Sequence, residues 1–557
     1  MLRFATFRFA VLAIMASAVI APIGLIIYQS FLDGPFFTPN VKWTLEAYQF
    51  VIEDDEFWDA LRTSIIVAGG MTAIAVPLGV ILAFLLARTD VPGKWILEPL
   101  VLVPIFMSAV VLAFGYVVAL GPVGIFSTFV KGMIGTVPWS IYSVTAITII
   151  AGLTHVPHVY LYTSAALQNL GADLEEAART TGASPLRVAV TVSLPMVTPA
   201  VLYAAVLIFF LGFELFGLPL VLGDPKGVLV LATYLYKLTN KLGVPSYQLM
   251  AVVVVAIILI AIPLVYLQRL LLSQSNKYVS VRGKAAKRAP LRLGALRWPA
   301  FGLIILWFVV TVGIPVFGIL LRSFVTTWGE GVRLSEVLTL SHYRDLVDYP
   351  NAMHAIVNTI LIGVIGGGLA VACYTAVSLA MHRWRSGWTR LADYLVMIPR
   401  AMPGLVAGLA MLWLFLFLPP LQPLRATLFS VWLAYTIVWL AYGTRLVAGT
   451  MLQIGPELEE AGRSVGATAG RVARDVTVPL ARSGMIAAWV LIFLIFAREY
   501  STGIYLLGPG TEVIGSLMVS LWGTGAIDLV SALAVINIVI ISVGLGLALR
   551  LGVRLHG

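Results

Sequence analysis

Charge is what this chain has least of. Only 11% of its 557 residues are Asp, Glu, Lys or Arg, while 60% are hydrophobic. Soluble domains carry about 25% charged and roughly 45–50% apolar residues. So few charges cannot cover a surface that faces water, which excludes soluble globular and disordered chains. Length alone would suggest roughly four soluble domains, but composition overrides it, and the chain reads as a polytopic membrane protein. Cysteine is nearly absent: the lone Cys373 excludes an intrachain disulfide, a cysteine-held cluster and a multi-thiolate zinc site. A GxxxxGK(S/T) phosphate loop is missing too, since Gly93-Lys94 lacks the upstream glycine and the following hydroxyl. The chain therefore cannot hydrolyse ATP by that route. Six histidines, scattered and with no repeated acid–histidine cluster, argue against a membrane enzyme.

Long apolar runs are what the chain has in quantity. A bilayer core about 30 Å thick needs roughly 20 residues per helix. Runs near 9–30, 61–87, 96–120, 142–169, 197–222 and 248–272 meet that length, as do runs near 300–322, 352–381, 391–416, 427–449, 484–507 and 526–550. The prediction is an all-α protein with about 12 transmembrane helices. The first run follows Arg3 and Arg8 and has no small-residue cleavage site, so it is expected to be a retained span.

Basic residues set the expected orientation. Arg3, Arg8, Arg88, Lys94, Arg383, Arg385, Arg390, Arg550 and Arg554 fall on one side of a twelve-span chain. The acid-free segment 273–299, with Lys277, Arg282, Lys284, Lys287, Arg288, Arg292 and Arg297, falls there too. The positive-inside rule makes that side cytoplasmic and both termini cytoplasmic. Glu53, Asp54, Asp55, Glu56 and Asp59 lie on the other side. The net charge of +10 thus reads as topology, and 273–299 as a solvated linker with no nucleic-acid role.

The sequence repeats itself. Tyr48 returns as Tyr343, Thr63-Ser64-Ile65 as Asn358-Thr359-Ile360 and Pro104 as Pro399, all at offset 295; LEEAARTTGA at 174–183 returns as LEEAGRSVGA at 458–467, offset 284. The eleven-residue difference falls between Pro104 and Glu176, in the stretch 121–140. The expected organisation is a first repeat over 1–272, a basic cytoplasmic linker over 273–299 and a second repeat over 300–557. Six spans per repeat give both the same orientation, so they are parallel repeats about an axis normal to the membrane.

After the fourth span of each repeat comes a loop, 173–195 and 457–479, with identical spacing. The first runs Glu176-Ala177-Ala178, three residues, Gly182, nine residues, Val192, one residue, Leu194-Pro195. The second runs Glu460-Ala461-Gly462, three residues, Gly466, nine residues, Val476, one residue, Val478-Pro479. The pattern predicts two short helices around a tight turn. Asp173 or Pro456 opens the first, Gly182 or Gly466 closes it in a left-handed cap, and Ser184-Pro185 or Thr468 opens the second. Small residues at 177, 178, 461 and 462 leave a shallow face for another surface to approach.

These loops resemble the EAA loop of ATP-binding-cassette importer permeases, and the resemblance covers essentially the whole chain, twice. The second copy departs mildly, with Gly462 for alanine and Val478 for leucine. The resemblance implies a fused two-domain permease that binds no cofactor of its own. Two copies of a cytoplasmic ATPase, carrying ATP and Mg, would supply the energy, and a periplasmic or lipid-anchored solute-binding protein would deliver the cargo across a bacterial inner membrane. It also implies that Glu176, Ala177, Ala178, Gly182, Pro195, Glu460, Ala461, Gly462, Gly466 and Pro479 carry the ATPase coupling. The stretches GFELFGLPLVLG and REYSTGIYLLGPGTEVIG resemble the iron(III) branch; thiamine, aminoethylphosphonate and polyamine permeases share the general look. A secondary transporter driven by an ion gradient is the competing class, but its usual signature between spans two and three is absent.

Ionisable groups inside spans are functional suspects. Glu214 and Arg498-Glu499 occupy matching places in spans five and eleven and are expected on the translocation path or its gate; a Glu214–Arg498 packing pair is the alternative. His155 and His158 are three apart around Pro157 and read as packing residues rather than a metal site. Gly69-Gly70 and Gly366-Gly367-Gly368 read as close helix contacts.

Overall fold

The computed structural model describes residues 2–170, 175, 177–178, 180–240, 245–275, 290–329, 331–384 and 386–551. The protein is all-helical: among the described residues, extended pairing is confined to three isolated bridges. Among the described residues ten helices are long and apolar enough to cross a membrane, or eleven if the pair Leu428–Val438 and Leu440–Leu452, bent by 63°, counts as one span. Large apolar side chains on these helices, such as Ile14, Leu259 and Leu306, stand exposed, as a surface in contact with acyl chains allows.

Two expected spans need correction. The run 96–120 is two helices, Lys94–Phe106 and Ala109–Leu120. The run 391–416 is Gly387–Met397, a 3-10 turn Ile398–Ala401 and Gly404–Phe417. Both breaks fall close to the prolines that the repeat sets against each other: Pro104 lies in the last turn of Lys94–Phe106 and Pro399 in the 3-10 turn Ile398–Ala401. The fifth and eleventh spans begin and end earlier than expected, running Ala189–Glu214 and Ala469–Arg498. The extra residues of the first repeat build the helix Ile125–Ile134. Residues 276–289 of the linker, with Lys277, Arg282, Lys284, Lys287 and Arg288, lie outside the described residues, as do Arg385 and Arg554.

The chain packs as two compact units, one of residues 54–237 and 259–340, the other of 1–53, 238–258 and 341–553. Each takes its first helix from the opposite half of the sequence. Leu2–Ser30 packs on Gly367–Met381, Gly387–Met397 and Gly404–Phe417; Arg297–Phe308 and Ile314–Ser323 pack on Lys94–Phe106 and Ala109–Leu120. The core of the first unit is Asp55–Arg88 laid along Val144–Asn169 and against Leu194–Glu214. Glycine makes that approach possible: a Cβ on Gly70 would lie 2.4 Å from Thr148 Cγ2, and one on Gly152 would lie 2.7 Å from Ile74 Cβ. In the second unit Gly367–Met381 packs on Leu440–Leu452 and Val478–Arg498. There Gly366 faces Trp432, Gly367 faces Phe493 and Gly368 faces Trp489, as expected; Gly69 faces open space.

Between the fifth and sixth spans of each repeat sits a short helix that the reading of spans passes over, Leu231–Asn240, amphipathic, and Ile514–Gly523, apolar. Each is started by a hydroxyl from the second span of its own unit. Ser64 Oγ accepts from the Leu231 N–H and Thr359 Oγ1 from the Ile514 N–H, both at 2.9 Å.

Candidate functional site

The duplicated loops form the turns that their spacing predicts. Gly182 and Gly466 sit at φ +84° and +86°, the left-handed conformation that only glycine enters without strain. Each turn closes in the same way: the Ala183 N–H donates to the Ala178 carbonyl at 3.2 Å, and the Ala467 N–H to the Gly462 carbonyl at 3.1 Å. Pro456–Ser464 is helical, and Thr468 caps the next helix by accepting from the Arg471 N–H. In the first copy Ser184 Oγ accepts from the Arg187 N–H at 3.4 Å and Pro185 opens the helix Pro185–Val188. Ala177, Gly182, Pro195, Glu460, Ala461, Gly466 and Pro479 are exposed, and Ala178 and Gly462 half-buried. A Cβ on Gly462 would come within 3.2 Å of Val472 Cγ2, so the glycine relieves a tight contact at that position. Glu176 and the capping candidate Asp173 lie outside the described residues.

Beneath each turn is a buried polar network that the sequence reading missed. The carboxylate is Glu175 in one copy and Glu459 in the other, the residue before the motif glutamate. Glu175 Oε1 accepts from Arg88 Nη2 at 2.5 Å and from Ser193 Oγ at 2.7 Å. Glu459 Oε1 accepts from His382 Nε2 at 2.8 Å and from Thr477 Oγ1 at 3.0 Å, while Oε2 lies 3.2 Å from Arg383 Nη1 and 3.8 Å from Arg463 Nη2. Arg88 and Glu175 are 6% and 12% exposed in their side chains and Glu459 only 3%, so these are buried charges held by partners. The arginine, the carboxylate and the hydroxyl keep the repeat register, 88 and 383 at offset 295, 175 and 459 and 193 and 477 at offset 284, whereas His382 has Ala87 as its counterpart.

Proline explains how the hydroxyls reach these carboxylates. Just before Leu194-Pro195 and Val478-Pro479 the helix widens into π-turns, Ala189–Ser193 and Ala473–Thr477. Pro195 and Pro479 cannot donate in an α-helix and would clash with the carbonyl four residues back. A wider turn removes the conflict, and the Leu194 and Val478 N–H groups bond five residues back to Ala189 and Ala473. The turn places Ser193 and Thr477, both fully buried or nearly so, against the carboxylates.

The suspects within the spans occupy matching positions. Glu214 ends Leu194–Glu214 and Arg498 ends Val478–Arg498, with Glu499 next; all three are half-buried. Glu499 Oε1 accepts from Ser501 Oγ, the Thr502 N–H and Thr502 Oγ1 at 2.8, 3.2 and 3.2 Å, and its backbone carbonyl accepts from Tyr435 Oη at 2.8 Å. That segment presses on a second helix, for a Cβ on Gly408 would lie 2.1 Å from the Thr502 carbonyl oxygen. His155 and His158 stack 5.4 Å apart, and His155 Nδ1 is 2.8 Å from the Ala151 carbonyl. Pro157 leaves the helix Val144–Asn169 unbroken, so the two rings share a face after all.

One protein family, the inner membrane component of binding-protein-dependent transport systems, matches residues 75–275 and again 368–556. The chain belongs to that family. It is a fused, two-domain importer permease of the ATP-binding-cassette type, a transport subunit rather than an enzyme. The Fe(3+)-transport system permease protein FbpB 2 of Haemophilus influenzae is 25% identical over 457 residues, 81% of each chain. The ferric transport system permease protein FbpB of Actinobacillus pleuropneumoniae is 21% identical over 501 residues, 89% of this permease and 70% of that one. The molybdenum transport system permease protein ModB of Mycobacterium tuberculosis is 30% identical over 209 residues, 36% of this permease and 77% of its own chain.

Proposed function

We propose that this permease moves iron(III), handed over by a solute-binding protein outside the membrane, into the cytoplasm, driven by two copies of a separate ATPase. The observation that carries the substrate is the extent of the likeness: the ferric permeases align over 81% and 89% of this chain, whereas the molybdenum permease aligns over 36%. The two turns at Gly182 and Gly466, alike in φ and in closing hydrogen bond, are the docking points, one for each ATPase. Both termini and the 273–299 linker lie on the cytoplasmic side. Glu214, Arg498 and Glu499 stand on the path or its gate, where a charge turned toward lipid would cost a few kcal/mol or more. Iron(III) prefers hard oxygen ligands, and the binding protein supplies most of them.

The substrate is tested in proteoliposomes holding the permease, its ATPase and its binding protein. ATP-dependent uptake of iron(III), with no uptake of molybdate, thiamine or aminoethylphosphonate, is the expected result. Uptake of one of those solutes in place of iron(III) overturns the substrate and leaves the machinery standing. The path is tested by Glu214→Gln and Glu499→Gln, which should lower transport more than they lower the amount of permease in the membrane. Full transport by the double variant would remove both from the path.

A further inference from the structure

We propose that Glu175 and Glu459 are positioning residues that fix each ATPase-docking turn to the end of the second span of its repeat, so that turn and helix move as one body. The inference rests on the reading of Gly182 and Gly466 as docking turns and adds the route by which a push on the turn reaches the membrane.

The first anchor joins three elements. Glu175 lies in the helical part of the turn, Arg88 is the last residue of Asp55–Arg88, and Ser193 closes the π-turn that leads into Leu194–Glu214. A displacement of the turn therefore cannot leave either span behind without stripping a buried carboxylate of its donors. The second anchor is built in the same register and tied more tightly. Arg383 reaches Glu459 with one guanidinium nitrogen and donates with the other to the Ile454 carbonyl at 2.7 Å, so it spans the base of the turn. Its backbone sits at φ +50°, a conformation an arginine holds only where its surroundings impose it. Arg8 Nη2 in turn donates to the His382 carbonyl at 3.2 Å.

Stability does not explain two such networks. An ion pair taken out of water regains little net energy, and apolar residues of similar volume often serve the fold as well. What a buried pair adds is one allowed geometry, because any other arrangement leaves a charge unpaired. A relay between ATPase and membrane needs that fixed geometry: a two-state element whose equilibrium both ends bias.

The test uses the full permease with its ATPase and binding protein in proteoliposomes and reads three quantities: ATPase retained on purification, thermal stability, and solute transported per ATP hydrolysed. Glu175→Gln and Glu459→Gln should retain the ATPase but lower transport per ATP by about tenfold, within the usual span of coupling between sites. An apolar replacement of the whole pair, Glu175→Leu with Arg88→Met, should recover thermal stability while transport per ATP stays low. Transport per ATP that stays at the wild-type value in the single variants, or that returns along with stability in the double variant, overturns the proposal. If the wild type retains no ATPase, the docking reading itself fails, and that result is distinct from either.

Discussion

Gly182 and Gly466 carry the strictest backbone requirement in the two duplicated turns. A Cβ at either position would meet nothing within 4 Å, so substitution is penalised through φ alone, by about 1–2 kcal/mol for a residue forced into the left-handed region. Asparagine tolerates that region better than alanine. Gly466→Asn should therefore retain more ATPase on purification than Gly466→Ala, and the same order should hold at Gly182. Equal retention would show that the turn does not need its left-handed residue. At Glu459, burial alone would raise the carboxyl, but hydrogen bonds from His382 and Thr477 and the charges of His382 and Arg383 outweigh it and hold the group below its usual range. A carboxyl depressed in the fold adds stability above its unfolded value and loses it as pH falls through the lowered one. The difference in melting temperature between wild type and Glu459→Gln should be full at neutral pH and close below the ordinary glutamate value of about 4.3. A difference that does not change with pH would contradict the pairing.

Helix ends, rather than helix middles, are where the two units keep their repeat. Hydroxyls of Ser64 and Thr359 start the short helices Leu231–Asn240 and Ile514–Gly523, and loss of such a cap costs about 1 kcal/mol. Ser64→Ala and Thr359→Val should each lower thermal stability by that order, with additive effects because they act in separate units; a neutral double variant would dismiss the caps. The same ends show what sequence reasoning reached and what it passed over. Helical class, the loop turns and the glycine caps follow from run length, spacing and residue type. The breaks near Pro104 and Pro399 were hidden because an apolar run looks the same whether its backbone is continuous or kinked. Arg88 and Arg383 read as topology markers in the sequence, since a basic residue at a span end usually is one; their buried partners Glu175 and Glu459 show only where the π-turns bring Ser193 and Thr477 alongside. The signal was present in the repeat: the arginine, the first glutamate of each pair and the hydroxyl before Leu194 or Val478 all hold register.

The whole molecule has two units, each with one turn and one anchor, and a sequence in which each unit borrows its first helix from the other half. The proposed topology predicts that a reporter inserted within 277–292 reads as cytoplasmic and one within 50–58 as external; the reverse would overturn that orientation. On the proposed function the chain moves its solute only when two external ATPase subunits drive it. The most direct measurement is uptake into proteoliposomes containing the permease, assembled with its ATPase and binding protein, alongside native mass spectrometry of the detergent-solubilised complex. One permease chain to two ATPase subunits is expected, with uptake that stops when ATP or the ATPase is left out, whatever the proton or sodium gradient. Uptake by the permease alone, driven by an imposed ion gradient without ATP, would contradict it.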